Sequence, residues 1–305
     1  MLRGTLLYLS EQSLARRVFG GPLTKPLVSR FVAGVRLSEA IEHVQKLNTA
    51  GMTATLDYLG EAVHNADAAS AAAMQYIGIL HAIDRAGVQC NASLKLTQMG
   101  LDVERALCVR NVERIVAQAE QLGNFIRIDM EGSAYTQATL DIFHELFVQH
   151  KNVGVVIQAY LYRSENDIRE LNAIGARVRL CKGAYNESAS VAFPEKSDTD
   201  KNYIKLMQFL LSEGNYPAIA THDEKIITAT REYAAKHGIA PERFEFQMLY
   251  GIRRDLQQQI VRDGYRLRIY VPYGEEWYPY MMRRMAERPA NLLFVLGGVL
   301  RERRG

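Results

Sequence analysis

The sequence predicts an α/β protein that folds as a (βα)8 barrel with extra helices before its first strand. Eight short apolar segments alternate with longer segments of helical spacing, and the cycle averages about 30 residues, the length of a βα unit. Such alternation is typical of a parallel sheet, and eight strands can close it into a barrel. An open doubly wound sheet is the alternative, but no GxGxxG follows the first strand and no GxxxxGKS or GxxxxGKT occurs in the chain.

The predicted strands are four to seven residues long and rich in Val, Ile, Leu and Phe, as expected of strands buried in a parallel sheet. They span residues 53–59, 91–96, 125–130, 154–159, 177–181, 218–221, 244–249 and 267–271. The first predicted helix begins at Ser38, which is a good N-cap residue. The other helices span residues 67–86, 101–122, 136–149, 165–174, 201–212, 223–237, 253–263 and 277–287.

The chain has no low-complexity tract or linker that would divide it, and barrels of this class form one domain of about 250 residues or more. We therefore expect a single domain over residues 1–305. Residues 1–50 are predicted to form a helical N-terminal extension, and residues 51–290 the barrel and the final helix.

Composition narrows the class of protein. The 37 basic and 34 acidic residues give a net charge of +3, too small to suggest a nucleic-acid partner. The longest apolar run, residues 292–300, is short of the ~20 residues that a membrane-spanning helix needs. Three separated cysteines suit a reducing compartment. We expect a cytoplasmic protein whose basic C-terminus, RERRG, could contact the inner face of the membrane.

Polar residues follow seven of the predicted strands, at the end of a barrel where active sites form. Because the interior of a barrel is expected to be apolar, charges at strand ends need a reason, and a site is the best one. In chain order these residues are Lys95, Asp129, Glu131, Gln158, Tyr160, Arg179, Lys182, Gly183, Tyr185, Thr221, His222, Gln247, Tyr250, Tyr270 and Tyr273.

The charges in this set favour an anionic ligand, because Lys95, Arg179 and Lys182 are cationic and Asp129 is the main counter-charge. The turn at 182–184 could offer backbone N–H groups to a phosphate, although an ordinary βα turn would look the same. A Schiff base at Lys95 or Lys182 would instead indicate an aldolase acting on a phosphorylated substrate. The seven histidines form neither HExxH nor a close cluster, so we expect no metal site.

The last predicted helix carries Tyr280, Arg283 and Arg284 at positions i, i+3 and i+4, which share one helix face. Two arginines there could clamp a carboxylate with their planar forks. Alternatively they form a solvated face, with Glu287 pairing to Arg283, in a non-enzymatic protein that binds anions.

Taken together, the motifs resemble the proline dehydrogenase family. They are TATLDYLGE in the first strand, SLKL around Lys95, IDME around Asp129, VRLCKGAY at 178–185, ATH at 220–222, EFQMLYG at 245–251, RIYVPYG at 268–274 and YMMRRMAE at 280–287. They occur in family order from about residue 40 to residue 290, and the chain length is similar to that of the single-function bacterial members.

The resemblance implies a distorted (βα)8 barrel that binds FAD, with the last helix over the barrel mouth. The implied activity is oxidation of L-proline to Δ1-pyrroline-5-carboxylate, the first step of proline catabolism to glutamate, with electrons passed to a quinone. The cofactor supplies the redox chemistry, while the protein supplies orientation and electrostatics.

The resemblance also implies residue roles. The substrate would contact Lys95, Tyr185, Tyr270, Tyr280, Arg283 and Arg284. FAD would contact Met130, Gln158, Arg179, Lys182, Gly183, Ala184, Thr221 and His222. Asp129 and Arg179 are the residues expected at the reaction centre, with Arg179 near the reactive edge of the flavin ring. We expect Asp129 to orient the cationic groups, because a carboxylate beside Lys and Arg is a weak base.

Overall fold

Eight parallel strands close into a barrel in the computed structural model of the protein, which describes residues 29–60 and 62–287. The strands follow one another around the barrel in chain order, and β1 pairs with both β2 and β8. This closed parallel barrel confirms the predicted fold class and excludes the open doubly wound sheet.

The strands are β1 Thr53–Tyr58, β2 Cys90–Leu94, β3 Ile126–Ile128, β4 Val153–Gln158, β5 Arg177–Cys181, β6 Ala218–Ala220, β7 Glu245–Leu249 and β8 Leu267–Tyr273. The helices are α1 Leu37–Thr49, α2 Ala66–Ala86, α3 Arg105–Gln121, α4 Ser133–Gln149, α5 Ser164–Ala173, α6 Lys196–Glu213, α7 Glu224–Lys236, α8 Arg254–Arg262 and α9 Trp277–Glu287. All eight predicted strands are present, and β5 and α9 have the predicted bounds.

Local sequence signals explain where several helices begin and end. The side chain of Asn65 accepts a hydrogen bond from the Ala68 N–H at 2.8 Å and so caps the start of α2. The same helix ends at Gly87, whose φ of 61° is a conformation that glycine adopts without steric cost. Asp223 caps α7 in the same way, through the Lys225 N–H.

The two sides of the strands differ in polarity. Residues that point outward, such as Ile126 and Ile128, are fully buried under the surrounding helices. Their neighbours Arg127 and Asp129 point into the barrel, where they meet side chains or carbonyl groups of other strands. The expectation of an apolar barrel interior was therefore wrong, because charged and hydroxyl side chains fill much of this interior and pair with one another there.

The interior near the amino ends of the strands is built around arginine side chains. Arg268 donates to Glu245 at 2.8 Å and to the Ala54 carbonyl at 2.7 Å. Arg127 reaches the carbonyl of Arg177, and Gly154 leaves room for it, since a Cβ at Gly154 would lie 2.6 Å from Arg127 Nη1. Burying polar groups without such partners is costly.

Residues 1–28 of the predicted N-terminal extension and the basic tail lie outside the described residues. The backbone of α9 includes Arg283 and Arg284, but the side chains of residues 283–287 are not among those described. Within residues 29–60 and 62–287, no helix combines the length and apolar character that crossing a membrane requires.

Candidate active site

Asp129 is the centre of a buried network where the strands end. Its Oδ1 accepts hydrogen bonds from Arg179 Nη1 at 2.7 Å and from the Ser93 hydroxyl at 2.6 Å. Its Oδ2 accepts the hydroxyl of Tyr270, also at 2.7 Å. The four residues come from β2, the end of β3, β5 and β8, so only barrel closure brings them together. The network fixes the position of a negative charge beside a guanidinium.

Arg179 is the residue of this network whose hydrogen-bond donors are not all used. Its Nη1 donates to Asp129 and, at 3.3 Å, to the Ser93 oxygen, and its guanidinium lies over the Tyr270 ring at 5.3 Å from the centroid. The buried Nε and Nη2 atoms meet no acceptor among the described residues. Buried donors without an acceptor are costly, so this guanidinium is well suited to a bound group that supplies one.

Tyr270 acts as a hydrogen-bond donor in this arrangement. Burial raises the pKa of Tyr270, and the nearby carboxylates of Asp129 and Asp57 raise it further. The phenol therefore keeps its proton at neutral pH and holds Asp129 Oδ2 in place.

Lys95 is paired with Asp57, whose Oδ1 lies 3.1 Å from the Lys95 ammonium nitrogen. Burial alone would lower the pKa of Lys95, but Asp57 and Asp129 outweigh it and raise the pKa above its usual value. Lys95 is therefore a fixed cation, whereas a lysine that forms a Schiff base must supply a neutral amine.

Lys182 lies on the loop after β5 and has two acidic partners. Its Nζ is 2.5 Å from Asp200 and 2.8 Å from Asp223. The next residue, Gly183, has a φ of 110°, and a Cβ there would lie 2.2 Å from the ring of Tyr160. A glycine is needed at this turn both for its conformation and for the close approach to the ring.

The other residues assigned to FAD lie at successive strand ends. Met130 is 7% exposed and precedes Glu131, whose carbonyl accepts Gln158 Nε2 at 2.8 Å. Thr221 Oγ1 accepts the Asp223 N–H at 3.1 Å. His222 Nε2 accepts the Leu249 N–H at 2.9 Å, so a neutral His222 carries its proton on Nδ1. Ala184 follows Gly183 on the loop after β5.

Tyr185 and Tyr280 differ in exposure. Tyr185 is 44% exposed on the loop after β5, and it is close enough to Lys95 to contribute to the raised pKa of that lysine. The same loop is attached to the start of α4, where Glu187 accepts the Ser133 N–H at 2.7 Å. Tyr280 is 7% exposed in α9.

Sequence reasoning did not identify Asp57 or Ser93, although both contact predicted site residues. A signal for them exists, because polar residues alternate along the strands. The pairs are Thr55 and Asp57 in β1, Asn91 and Ser93 in β2, Arg127 and Asp129 at β3, Arg177 and Arg179 in β5, Glu245 and Gln247 in β7, and Arg268 and Tyr270 in β8. A period of two predicts that such residues share one face of a strand.

The described residues contain no group of three or more His, Cys, Asp or Glu side chains that could hold a metal ion. The side chains described at this end of the barrel supply fixed charges and hydrogen-bonding groups. Two cations, Lys95 and Arg179, are each paired with one carboxylate, and both lie where the strands end.

Comparison with known proteins gives a consistent result. The family model described as proline dehydrogenase matches residues 40–296. The chain is 42% identical over 302 residues to proline dehydrogenase 1 of Bacillus subtilis, covering 99% of this chain and 100% of that relative. It is also 42% identical over 280 residues to proline dehydrogenase of Deinococcus radiodurans, covering 90% of each chain.

A solved structure with a similar fold is that of proline utilization A from Bdellovibrio bacteriovorus inactivated by N-propargylglycine. The similarity has a TM-score of 0.81 at 28% sequence identity and covers 86% of this chain. It covers 32% of the longer protein, so this chain corresponds to about a third of it.

Proposed function

The chain belongs to the proline dehydrogenase family, and on this basis we propose that it oxidises L-proline to Δ1-pyrroline-5-carboxylate with FAD as its cofactor. This reaction is the first step of proline catabolism to glutamate. In this proposal a quinone receives the electrons, and residues 1–305 act as a single domain. The observation that supports it best is the buried network of Asp129, Arg179 and Tyr270.

The residues at the strand ends are compatible with FAD. Arg179 has two buried donor atoms without an acceptor among the described residues, and the electron-rich edge of a flavin ring would supply acceptors. When bound, FAD would accept the hydride that leaves the ring carbon of proline next to nitrogen. The remaining cofactor contacts in this proposal are Met130, Gln158, Lys182, Gly183, Ala184, Thr221 and His222.

Lys182 would contribute to cofactor binding mainly by fixing the loop after β5. Asp200 and Asp223 already compensate the ammonium charge, and Asp223 also caps α7. The loop would then present Gly183 and Ala184 to the cofactor with little side-chain bulk.

Proline would be held by its carboxylate and by its ring. The carboxylate contacts proposed are Lys95, Arg283 and Arg284, and Asp57 would keep Lys95 charged and in position. Tyr185, Tyr270 and Tyr280 would enclose the ring. Lys95 and Arg179 are each offset by one carboxylate, so in this proposal Arg283 and Arg284 supply the positive charge that favours an anionic group on the substrate.

Asp129 is proposed to orient the other groups. Its two oxygens already accept hydrogen bonds from Arg179, Ser93 and Tyr270. With both oxygens engaged, its main effect would be to hold the guanidinium and the phenol in fixed positions.

The two alternative functions have less support. A Schiff-base aldolase would need a neutral amine at Lys95 or Lys182, but each ammonium is held by at least one carboxylate. A non-enzymatic anion-binding protein would not need the buried network at the strand ends. We also propose a cytoplasmic enzyme that contacts the membrane surface, where a quinone is available, through its basic C-terminus.

The visible spectrum of the purified protein tests this function. We expect flavin absorbance that bleaches when L-proline is added without oxygen, and no bleaching with D-proline or L-alanine as controls. A quinone analogue should restore the colour, whereas NAD should remain oxidised. A colourless protein, or one that borohydride traps as a lysine adduct, would contradict the proposal.

A further inference from the structure

The end of the barrel opposite the candidate active site has a cavity of about 450 Å³. Its wall is formed by the amino ends of the strands and by the loops that precede them, including Thr53, Cys90, Arg177 and Glu245. The proposed function makes no use of this cavity, because its site is formed by residues at the carboxyl ends of the strands.

Arg127 lines this cavity and is a buried cation with an incomplete set of partners. Its residue exposure is 4%, and its Nη1 donates to the carbonyls of Val155 at 3.1 Å and Arg177 at 2.5 Å. Its Nε is buried and meets no acceptor among the described residues. The Arg127 guanidinium lies 5.0 Å from the centroid of the Phe125 ring and has no ion pair within the described part of the chain.

The neighbouring charges compensate Arg127 only in part. The wall contains two carboxylates, the exposed Asp84 and the buried Glu245, and Glu245 is paired with Arg268 at 2.8 Å. Arg177 adds another guanidinium, which packs against the rings of Phe125 and Tyr216 and has no carboxylate partner in residues 29–60 and 62–287. The wall therefore has more guanidinium groups than carboxylates to pair with them.

The titration of Arg127 is consistent with this imbalance. Burial lowers the pKa of Arg127, and the positive charges of Arg179 and Arg268 lower it further, against the opposing effect of Glu245 and Asp129. The net shift disfavours the charged guanidinium, so an anion brought into the cavity would favour the charged form of Arg127 and would be stabilised by that charge.

We propose that this cavity binds a small oxyanion, a phosphate or a carboxylate, between Arg127 and Arg177. A guanidinium presents its donors in one plane and forms paired hydrogen bonds with the oxygens of either group. The site would be a second anion site of the molecule, separate from the substrate site at the other end of the barrel.

Isothermal titration calorimetry of the protein as purified tests this proposal, with inorganic phosphate as the first probe and citrate as the second. The ionic strength is kept constant, so that a saturable heat reports binding and not a general salt effect. We expect one site per chain, and the probe with the higher affinity distinguishes phosphate from carboxylate as the preferred group.

Three variants test where the anion binds. Arg177→Gln removes an exposed guanidinium from the wall and should weaken binding about tenfold, since a charge-assisted hydrogen bond is lost. Asp84→Asn removes an exposed negative charge from the same wall and should strengthen binding. Arg110→Gln removes an exposed guanidinium from α3, which is not part of the wall, and should leave the affinity for the anion unchanged.

Two results would overturn the proposal: no saturable binding of either probe, or equal weakening by Arg177→Gln and Arg110→Gln. Because proline turnover is not measured, the result is independent of whether the proposed function is correct.

Discussion

Asp129 and Arg179 form an ion pair inside the barrel, with Asp129 Oδ1 2.7 Å from Arg179 Nη1. The side chain of Asp129 is 12% exposed and that of Arg179 is 7% exposed. Such pairs differ from surface pairs in what happens when one partner is removed. The remaining charge stays in a poorly solvated place, so the loss of stability exceeds the value of the pair itself.

Replacing Asp129 by Ala should therefore destabilise the protein by about 3–5 kcal/mol, because Arg179 keeps its charge without a counter-ion. Urea denaturation measures this change in the free energy of unfolding. The control is Glu145→Gln, which breaks an exposed pair with Arg105 and should cost less than about 1 kcal/mol. Similar losses in the two variants would show that the Asp129 pair is not effectively buried.

Tyr270 links the network to the space proposed for the substrate ring. Tyr270→Phe keeps the ring over Arg179 but removes the hydrogen bond to Asp129, so kcat/KM for proline should fall by about tenfold or more. We expect this fall because Asp129 is held less firmly in place. The flavin content, measured by absorbance, should stay at the wild-type level. An unchanged kcat/KM would contradict this role.

The bulk of Tyr270 should also set substrate preference. We expect the wild-type protein to prefer proline to hydroxyproline by about 10- to 200-fold, the usual range for one small group in a fitted site. Tyr270→Ser should reduce this ratio because it makes room for the hydroxyl group. Steady-state kinetics with both substrates measure the ratio, and equal ratios in the two proteins would refute the steric explanation.

Arg283 and Arg284 are expected to bind the proline carboxylate. Losing one charge-assisted hydrogen bond of about 1.5–3 kcal/mol should raise the KM for proline by about 10- to 150-fold, with flavin content unchanged. Arg284→Lys is the sharper test because it keeps the charge and removes the planar fork. A wild-type KM in both Arg283→Met and Arg284→Lys would favour an exposed helix face.

The stability of the protein should depend on pH through His43. Its Nδ1 is 2.9 Å from the Tyr250 hydroxyl, and burial lowers the pKa of His43 below the usual value. The unfolded chain then binds a proton more readily than the folded one, so stability is lost as the pH falls below about 6.5. Melting temperatures at pH 7.5 and 5.5 measure this loss.

His43→Gln should reduce the difference between the two melting temperatures, because the variant has no imidazole to protonate. The exposed His64 provides the matched control, and His64→Gln should keep the wild-type difference. An identical difference in all three proteins would rule out His43 as a source of the pH dependence.

The eight strands and their helices were predictable because each element has a local signal in apolar spacing or in a cap. The polar barrel interior was not predicted, because residues such as Arg127 and Glu245 were counted within strands that are mostly apolar. The partners of these residues come from other strands, as with Ser93 and Asp129, which are 36 positions apart. Spacing along one strand shows which residues share a face of that strand, but it does not show which side chains they contact across the barrel.

Gly154 has a consequence for how this sequence can change. A side chain at Gly154 would collide with Arg127 Nη1, with the Arg177 carbonyl and with the Phe125 ring, all at 2.6–2.7 Å. Two of these contacts would disappear if residues 125 and 127 were smaller, but the backbone contact would remain. Substitutions at 125 and 127 are therefore not enough to let position 154 accept a larger residue, because β4 and β5 would also have to move apart where Gly154 pairs with Arg177.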